Sequence, residues 1–89
     1  MRHADITILG SVQGVGFRYA AKQKADELGL AGFVRNEPGG TVRMEIEGEE
    51  GNVQKFILWC REGVPAASVR AVNVSFDPQT KNFSGFEIR

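Results

Sequence analysis

The first third of the chain changes from a two-residue to a helical hydrophobic period. Ile6 and Ile8 alternate with mostly polar neighbours, which predicts a strand β1 over residues 4–11 with one face on the core. The apolar positions that follow recur at helical spacing and predict a helix α1 over residues 17–28. Gly29 is suited to end this helix in the left-handed conformation.

The middle of the chain predicts a hairpin followed by a second helix. Residues 31–36 form a short apolar run, and residues 41–47 alternate strictly, so we expect strands β2 and β3. Pro38 and Gly39 suit the two central positions of a type II turn between these strands. Apolar residues at helical spacing then predict a helix α2 over residues 50–62.

The last part of the chain predicts two more strands. Residues 71–76 alternate and predict β4, residues 77–82 predict a turn, and residues 86–89 predict a short β5. The order β-α-β-β-α-β plus a fifth strand is that of an α+β, ferredoxin-like split βαβ fold. We therefore expect one domain over residues 1–89, with an antiparallel sheet and two helices on one face. On β3, the alternation places Arg43, Glu45 and Glu47 on the face of the sheet that points away from the helices.

The charge balance and the cysteine content exclude several classes of protein. Lys and Arg number 11, as do Asp and Glu, so the chain lacks the basic excess of a general nucleic-acid surface. Any recognition of anions must therefore be local. A single cysteine excludes an internal disulfide, and no apolar run approaches membrane-spanning length. We expect a cytoplasmic monomer with neither a nucleic-acid nor a membrane partner.

The connection between β1 and α1 is rich in glycine. Residues 10–18 read Gly-Ser-Val-Gln-Gly-Val-Gly-Phe-Arg. Gly14 and Gly16 adopt positive φ at low cost, and successive amides in such a turn form an anion-sized concavity. The turn also leads into a helix N-terminus, which favours negative charge, and Arg18 adds a bidentate cation. This combination predicts an oxyanion site, with phosphate as the ligand.

Two sequence motifs carry a family resemblance. The stretch lacks the Gly-Lys-Ser/Thr of a Walker loop, and the third glycine of a dinucleotide fingerprint would fall at Tyr19. It instead resembles, over all nine positions, the first signature of the acylphosphatase family, Gly-x-Val-Gln-Gly-Val-Gly-Phe-Arg. Residues 32–36, Gly-Phe-Val-Arg-Asn, resemble the second signature and fall on β2. With the element order and the length, the resemblance covers essentially the whole chain.

This resemblance implies an activity and a set of site residues. Acylphosphatases hydrolyse the carboxyl-phosphate anhydride of small acyl phosphates, giving a carboxylate and orthophosphate. Arg18 falls on the catalytic arginine of the family, and Asn36 falls on the asparagine that orients the attacking water. The implied phosphate-binding loop consists of Gln13, Gly14, Val15, Gly16, Phe17 and Arg18.

Such a small set of residues is sufficient for this reaction. The leaving carboxylate has a conjugate acid with a pKa of about 4, so it departs without a general acid. Phosphoryl transfer mainly needs positioning and charge stabilisation. His3, the single histidine, is expected near a free terminus, and no metal-ligating cluster is visible. We expect hydrolysis without a metal or cofactor, with phosphate or sulfate as competing anions.

Several alternatives remain open at this point. Arg18 could be a solvated helix charge, and Asn36 could cap the turn at the end of β2. The chain could be a phosphate-binding module without turnover. The family also includes the N-terminal domain of a larger carbamoyl-transfer maturation protein, but we expect a stand-alone domain here. An RNA-binding sheet would need exposed aromatic residues that the β2 motif supplies only in part. Cys60 lies on the predicted buried stripe of α2, which favours a core residue over a nucleophile.

Overall fold

The computed structural model describes all of residues 1–89 and contains the predicted elements in the predicted order. They are β1 (Arg2–Ser11), α1 (Phe17–Glu27), β2 (Ala31–Asn36), β3 (Val42–Gly48), α2 (Glu50–Glu62), β4 (Ser68–Asp77) and β5 (Phe86–Ile88). The predicted α+β fold class is thereby confirmed. Neither helix has the length and the apolar sequence that are needed to cross a membrane.

The five strands form one sheet in the order β4-β1-β3-β2-β5. The predicted antiparallel hairpin of β2 and β3 is present, and β1 pairs with β3 and with β4, also in antiparallel orientation. The fifth strand differs, because β5 runs parallel to β2 and pairs Phe86 with Gly32. The reason is the path of residues 78–85, which cross from the β4 edge to the β2 edge and enter β5 in the direction of β2.

The core lies between the sheet and the two helices. Ile6 and Ile8 of β1 and Met44 and Ile46 of β3 are fully buried on this face. The helices contribute Phe17, Ala21 and Ala25 from α1 and Val53, Phe56, Ile57 and Cys60 from α2. Burial raises the pKa of the Cys60 thiol, so Cys60 is a core residue and not a nucleophile.

Two strands are longer than their hydrophobic patterns predicted. β1 begins at Arg2, and β4 begins at Ser68, which lies opposite Ser11 of β1. Backbone pairing continues there through mostly polar residues, and the single apolar one, Val69, makes no hydrophobic alternation. The end of α1 agrees better with the sequence, because the helix ends at Glu27 and Gly29 follows with a φ of 68°.

The turn between β2 and β3 has the features of the predicted type II turn. The Gly40 N–H donates a hydrogen bond of 3.2 Å to the carbonyl of Glu37, and Gly39 has a φ of 96°. The turn fixes the end of β2, where Asn36 lies opposite Val42.

The face of the sheet that points away from the helices is partly covered by residues 78–85. Glu45 and Glu47, predicted on this polar face, are only 3% and 1% exposed. The backbone N–H groups of Lys81 and Phe83 donate hydrogen bonds to the Glu47 carboxylate. The Lys81 ammonium lies 2.7 Å from the Glu45 carboxylate.

His3 is buried, and the expectation that it lies near a free terminus is wrong. Its Nδ1 lies 2.8 Å from Glu47 and its Nε2 lies 3.0 Å from Glu45, and the Phe83 ring stacks on it. The physical reason is that β1 extends to Arg2, so His3 is a paired strand residue opposite Glu47. We call this set of residues the His3 cluster; it consists of His3, Arg43, Glu45, Glu47 and Lys81.

Candidate active site

The glycine-rich connection adopts the backbone conformation that its sequence predicted. Gly14 has a φ of 74° and Gly16 a φ of 79°, while Val15 between them has no positive φ. Alternation of this kind directs successive amides toward one side of the chain. Helix α1 starts directly after Gly16, with no side-chain cap and no acidic residue in its first turn.

The backbone N–H groups of residues 13–19 have no acceptor within the protein. The first amide beyond them that has one is Ala20, which donates to the carbonyl of Gly16 at 3.1 Å. The first N–H groups of any helix lack an intrahelical partner, and here the run of unpartnered donors continues back through the glycine-rich loop, so this helix N-terminus is a ready site for an anion.

Arg18 is half-buried and has no carboxylate within ion-pair distance. Other arginines are paired with acids, namely Arg2, Arg35, Arg43 and Arg89. A guanidinium that lies beside unpartnered amides and lacks a counterion retains its full capacity for bidentate binding of a phosphate.

Asn36 and Arg18 line the same cavity, although they lie on different elements. The cavity has a volume of about 160 Å³ and is lined by Val12, Gly14, Gly16, Phe17, Arg18, Tyr19 and Asn36. Asn36 is the last residue of β2, and its side chain makes no hydrogen bond to the turn backbone or to any other protein group. This arrangement gives no support to the alternative of a turn-capping asparagine.

The Gln13 side chain is engaged with the neighbouring turn. Its Nε2 donates hydrogen bonds of 2.9 Å to the carbonyls of Glu37 and Thr41. These bonds tie the loop to the β2–β3 turn and leave the backbone N–H as the Gln13 donor that is available to an anion. The sequence placed Gln13 in the phosphate loop but carried no signal for this anchoring role, which depends on a contact between distant segments.

Two other predicted loop residues contribute through the backbone. Phe17 is 1% exposed, and its ring lies 5.4 Å from that of Trp59, measured between centroids. Val15 packs against the core and does not line the cavity. Their apolar side chains anchor the loop, so an anion would meet their amides only. Tyr19 lines the cavity and was not among the residues predicted from the sequence.

A second and larger cavity lies beside the first. It has a volume of about 540 Å³ and is lined by Leu9, Gly10, Ser11, Gly39, Gly40, Thr41, Ser68 and Arg70. It shares no residue with the cavity of Arg18 and Asn36, and none of the predicted site residues lines it. Arg70 of the larger cavity also lacks an ion-pair partner, so the guanidinium alone does not distinguish the two. The smaller cavity is the candidate active site, because the run of unpartnered amides lies there together with Arg18 and Asn36.

Comparison with known proteins identifies the family. Residues 4–88 match the sequence model of the Acylphosphatase family. The chain belongs to the acylphosphatase family. An acylphosphatase of Nocardioides sp. is 48% identical over 90 residues, which cover 100% of this chain and 90% of the relative.

Solved structures agree with this membership of the acylphosphatase family. The crystal structure of acylphosphatase from Bacillus subtilis superimposes with a TM-score of 0.98 at 35% identity, covering 100% of this chain and 99% of that one. Full-length HypF, solved in a phosphate- and nucleotide-bound form, matches with a TM-score of 0.91 at 32% identity. The match covers 99% of this chain but only 12% of HypF, so the same fold also occurs within a much larger protein.

The family assignment confirms the activity that the two sequence motifs implied. The protein is an acylphosphatase, an enzyme that hydrolyses small-molecule acyl phosphates.

Proposed function

We propose that the cavity of Arg18 and Asn36 is the place where this acylphosphatase binds and hydrolyses its substrate. The observation that supports this most strongly is the run of unpartnered amides at residues 13–19, beside a guanidinium without a counterion. In this proposal the amides and Arg18 hold the oxygens of the transferred phosphoryl group. Their bonds strengthen as negative charge develops on those oxygens in the transition state.

Asn36 positions the attacking water in this proposal. Its side-chain amide has both a donor and an acceptor, and no protein group engages either of them. The water then attacks phosphorus in line with the scissile bond, and its proton passes to an oxygen of the substrate phosphate. The carboxylate leaves without protonation, because its conjugate acid has a pKa of about 4.

The structure contains no group of three or more His, Cys, Asp or Glu side chains arranged to hold a metal ion. We propose that hydrolysis needs no metal and that orthophosphate and sulfate compete with the substrate. The test is to measure hydrolysis of acetyl, carbamoyl and benzoyl phosphate with and without EDTA, and then with added phosphate. Full activity in EDTA and competitive inhibition by phosphate are expected. Loss of activity in EDTA, restored by Mg²⁺ or Zn²⁺, would contradict the mechanism.

We also propose that residues 1–89 act as one domain, as a monomer and in the cytoplasm. The single cysteine, Cys60, is free and buried, which suits a reducing compartment. Light scattering coupled to size-exclusion chromatography measures the oligomeric state, and a mass of about twice 9.8 kDa would contradict the monomer.

A further inference from the structure

The side chain of Tyr19 lies at the candidate active site, and the rest of the fold makes no use of it. The residue is 69% exposed and lines the cavity together with Arg18 and Asn36. Its ring has no aromatic or cationic partner, and its hydroxyl makes no hydrogen bond. Exposed Phe76 differs, because the Arg2 guanidinium lies over its ring at 4.1 Å.

The position of Tyr19 on α1 directs its side chain toward the mouth of the cavity. It is the third residue of the helix, and Cα–Cβ bonds in a helix tilt toward the N-terminus. That N-terminus is where the unpartnered amides lie. A phosphoryl group held by these amides would leave the acyl end of the substrate to extend out of the cavity, where the exposed ring of Tyr19 is available to it.

We propose that Tyr19 is a specificity-determining residue whose ring contacts the acyl group, so that the enzyme favours acyl phosphates with flat, apolar acyl groups. The inference rests on the proposed function of this cavity. Arg18 is the one charged residue of the cavity lining, and the proposed mechanism commits it to the phosphoryl group. The acyl group therefore contacts the Tyr19 ring, and the cavity lining offers no second cation that would favour a negatively charged acyl group.

The experiment compares two substrates that differ in the acyl group only. Values of kcat/KM are measured for benzoyl phosphate and acetyl phosphate with the wild type, Tyr19→Ala, Tyr19→Phe and the control Leu58→Ala. Leu58 is also exposed, at 62%, but lies on α2 and outside every cavity. Aromatic contacts of this kind contribute about 0.5–1.5 kcal/mol, so Tyr19→Ala should lower the benzoyl-to-acetyl ratio by roughly two- to tenfold. Tyr19→Phe and Leu58→Ala should leave the ratio within twofold of wild type.

Two results would overturn the inference. One is a benzoyl-to-acetyl ratio that Tyr19→Ala leaves unchanged, because the ring then contributes nothing to the choice of acyl group. The other is a Tyr19→Phe variant that loses as much as Tyr19→Ala, because the hydroxyl and not the ring would then make the contact. Failure of the proposed function is distinguishable, since inhibition by phosphate would then be noncompetitive in the wild type and in all three variants.

Discussion

Two polar clusters include residues of the β2–β3 hairpin, and their charged groups are partnered in opposite ways. The His3 cluster extends along β3 from Glu47, which pairs with Ala31 at the start of β2, to Arg43, whereas the candidate active site includes Asn36, at the end of β2. In the His3 cluster the charged groups are bonded to one another. At the candidate active site, the Arg18 guanidinium and the nearby amides have no partner in the protein.

The His3 cluster is a closed network. Glu47 accepts hydrogen bonds from the ring of His3 and from two backbone amides, those of Lys81 and Phe83. Glu45 lies 2.9 Å from Arg43 and 2.7 Å from the Lys81 ammonium. Such a network holds residues 78–85 over the sheet, and both oxygens of each of its carboxylates, Glu45 and Glu47, have partners within the protein.

The difference shows how a small fold divides its polar groups between stability and function. Buried charges that satisfy one another hold the chain in place, and breaking such a set destabilises the protein. Groups that the fold leaves unsatisfied remain available for a substrate. Substitutions in the His3 cluster should therefore change stability, whereas substitutions at the candidate active site should change turnover.

The largest expected effect is on turnover, at the candidate active site. Asn36→Ala should lower kcat by about 100-fold or more while the inhibition constant for phosphate changes little, because the water is lost but the anion site remains. Arg18→Lys should lower kcat and also weaken phosphate binding, since lysine lacks the planar guanidinium fork. Steady-state kinetics and phosphate inhibition measure the two quantities.

The matched controls for these variants are Asn73→Ala and Arg61→Lys, which change exposed residues outside the cavity. Both should keep the activity of the wild type, and all four variants should keep its free energy of unfolding. An Asn36→Ala enzyme with nearly normal kcat would remove Asn36 from the mechanism.

The next effect is on stability. Glu47→Ala leaves His3 and two backbone amides without their acceptor, and the free energy of unfolding should fall by about 3 kcal/mol. Glu87→Ala breaks the exposed pair with Arg89 and should cost less than about 1 kcal/mol. Urea unfolding measures both. Equal losses in the two variants would mean that burial of the cluster does not matter.

The Glu47 carboxylate should also make the free energy of unfolding depend on pH. Burial raises the pKa of Glu47, but the hydrogen bonds from Lys81, His3 and Phe83 outweigh it and hold the pKa below its ordinary value of 4.5. The unfolded state therefore binds more protons in acid, and the contribution of Glu47 is complete above pH 4.5 and is lost as the pH falls through the folded-state pKa. The stability difference between wild type and Glu47→Gln should shrink below pH 4.5. Urea unfolding at several pH values tests this, and a constant difference would contradict it.

The smallest effect concerns the link between the loop and the hairpin. Gln13→Ala removes both hydrogen bonds to the turn carbonyls, so the loop becomes less rigid. We expect kcat/KM to fall by about tenfold and the free energy of unfolding to fall by about 1 kcal/mol. Gln54→Ala, at an exposed position of α2, is the matched control. A loss of stability without any loss of kcat/KM would mean that the anchor does not position the loop.

The sequence predicted those parts of the fold that depend on local pattern. The change of hydrophobic period at Phe17 gave the start of α1, and the glycine pattern gave the positive φ values of Gly14 and Gly16. The nine-residue motif gave the family. These features need only the order of neighbouring residues, since helix starts and glycine turns are local properties of the chain.

The missed features depend on contacts between distant segments. Glu45 and Glu47 alternate with apolar residues and therefore resemble a solvated face, but residues 78–85 bury them. No pattern in the sequence shows that a polar segment will cross the sheet. The place of Tyr19 in the cavity lining was missed for a similar reason, because the cavity also needs Asn36, which the sheet brings to it from a distant part of the sequence.

The short parallel strand β5 also limits strand pairing between separate copies of the protein. Strand β2 carries the apolar pair Phe33 and Val34, and an unpaired edge beside them would offer its backbone to another chain. β5 occupies that edge, with the Arg89 N–H donating to the carbonyl of Val34 at 2.8 Å. The new edge is three residues long and is followed directly by the charged side chain of Arg89, so it is a poor template for intermolecular strand pairing and for aggregation.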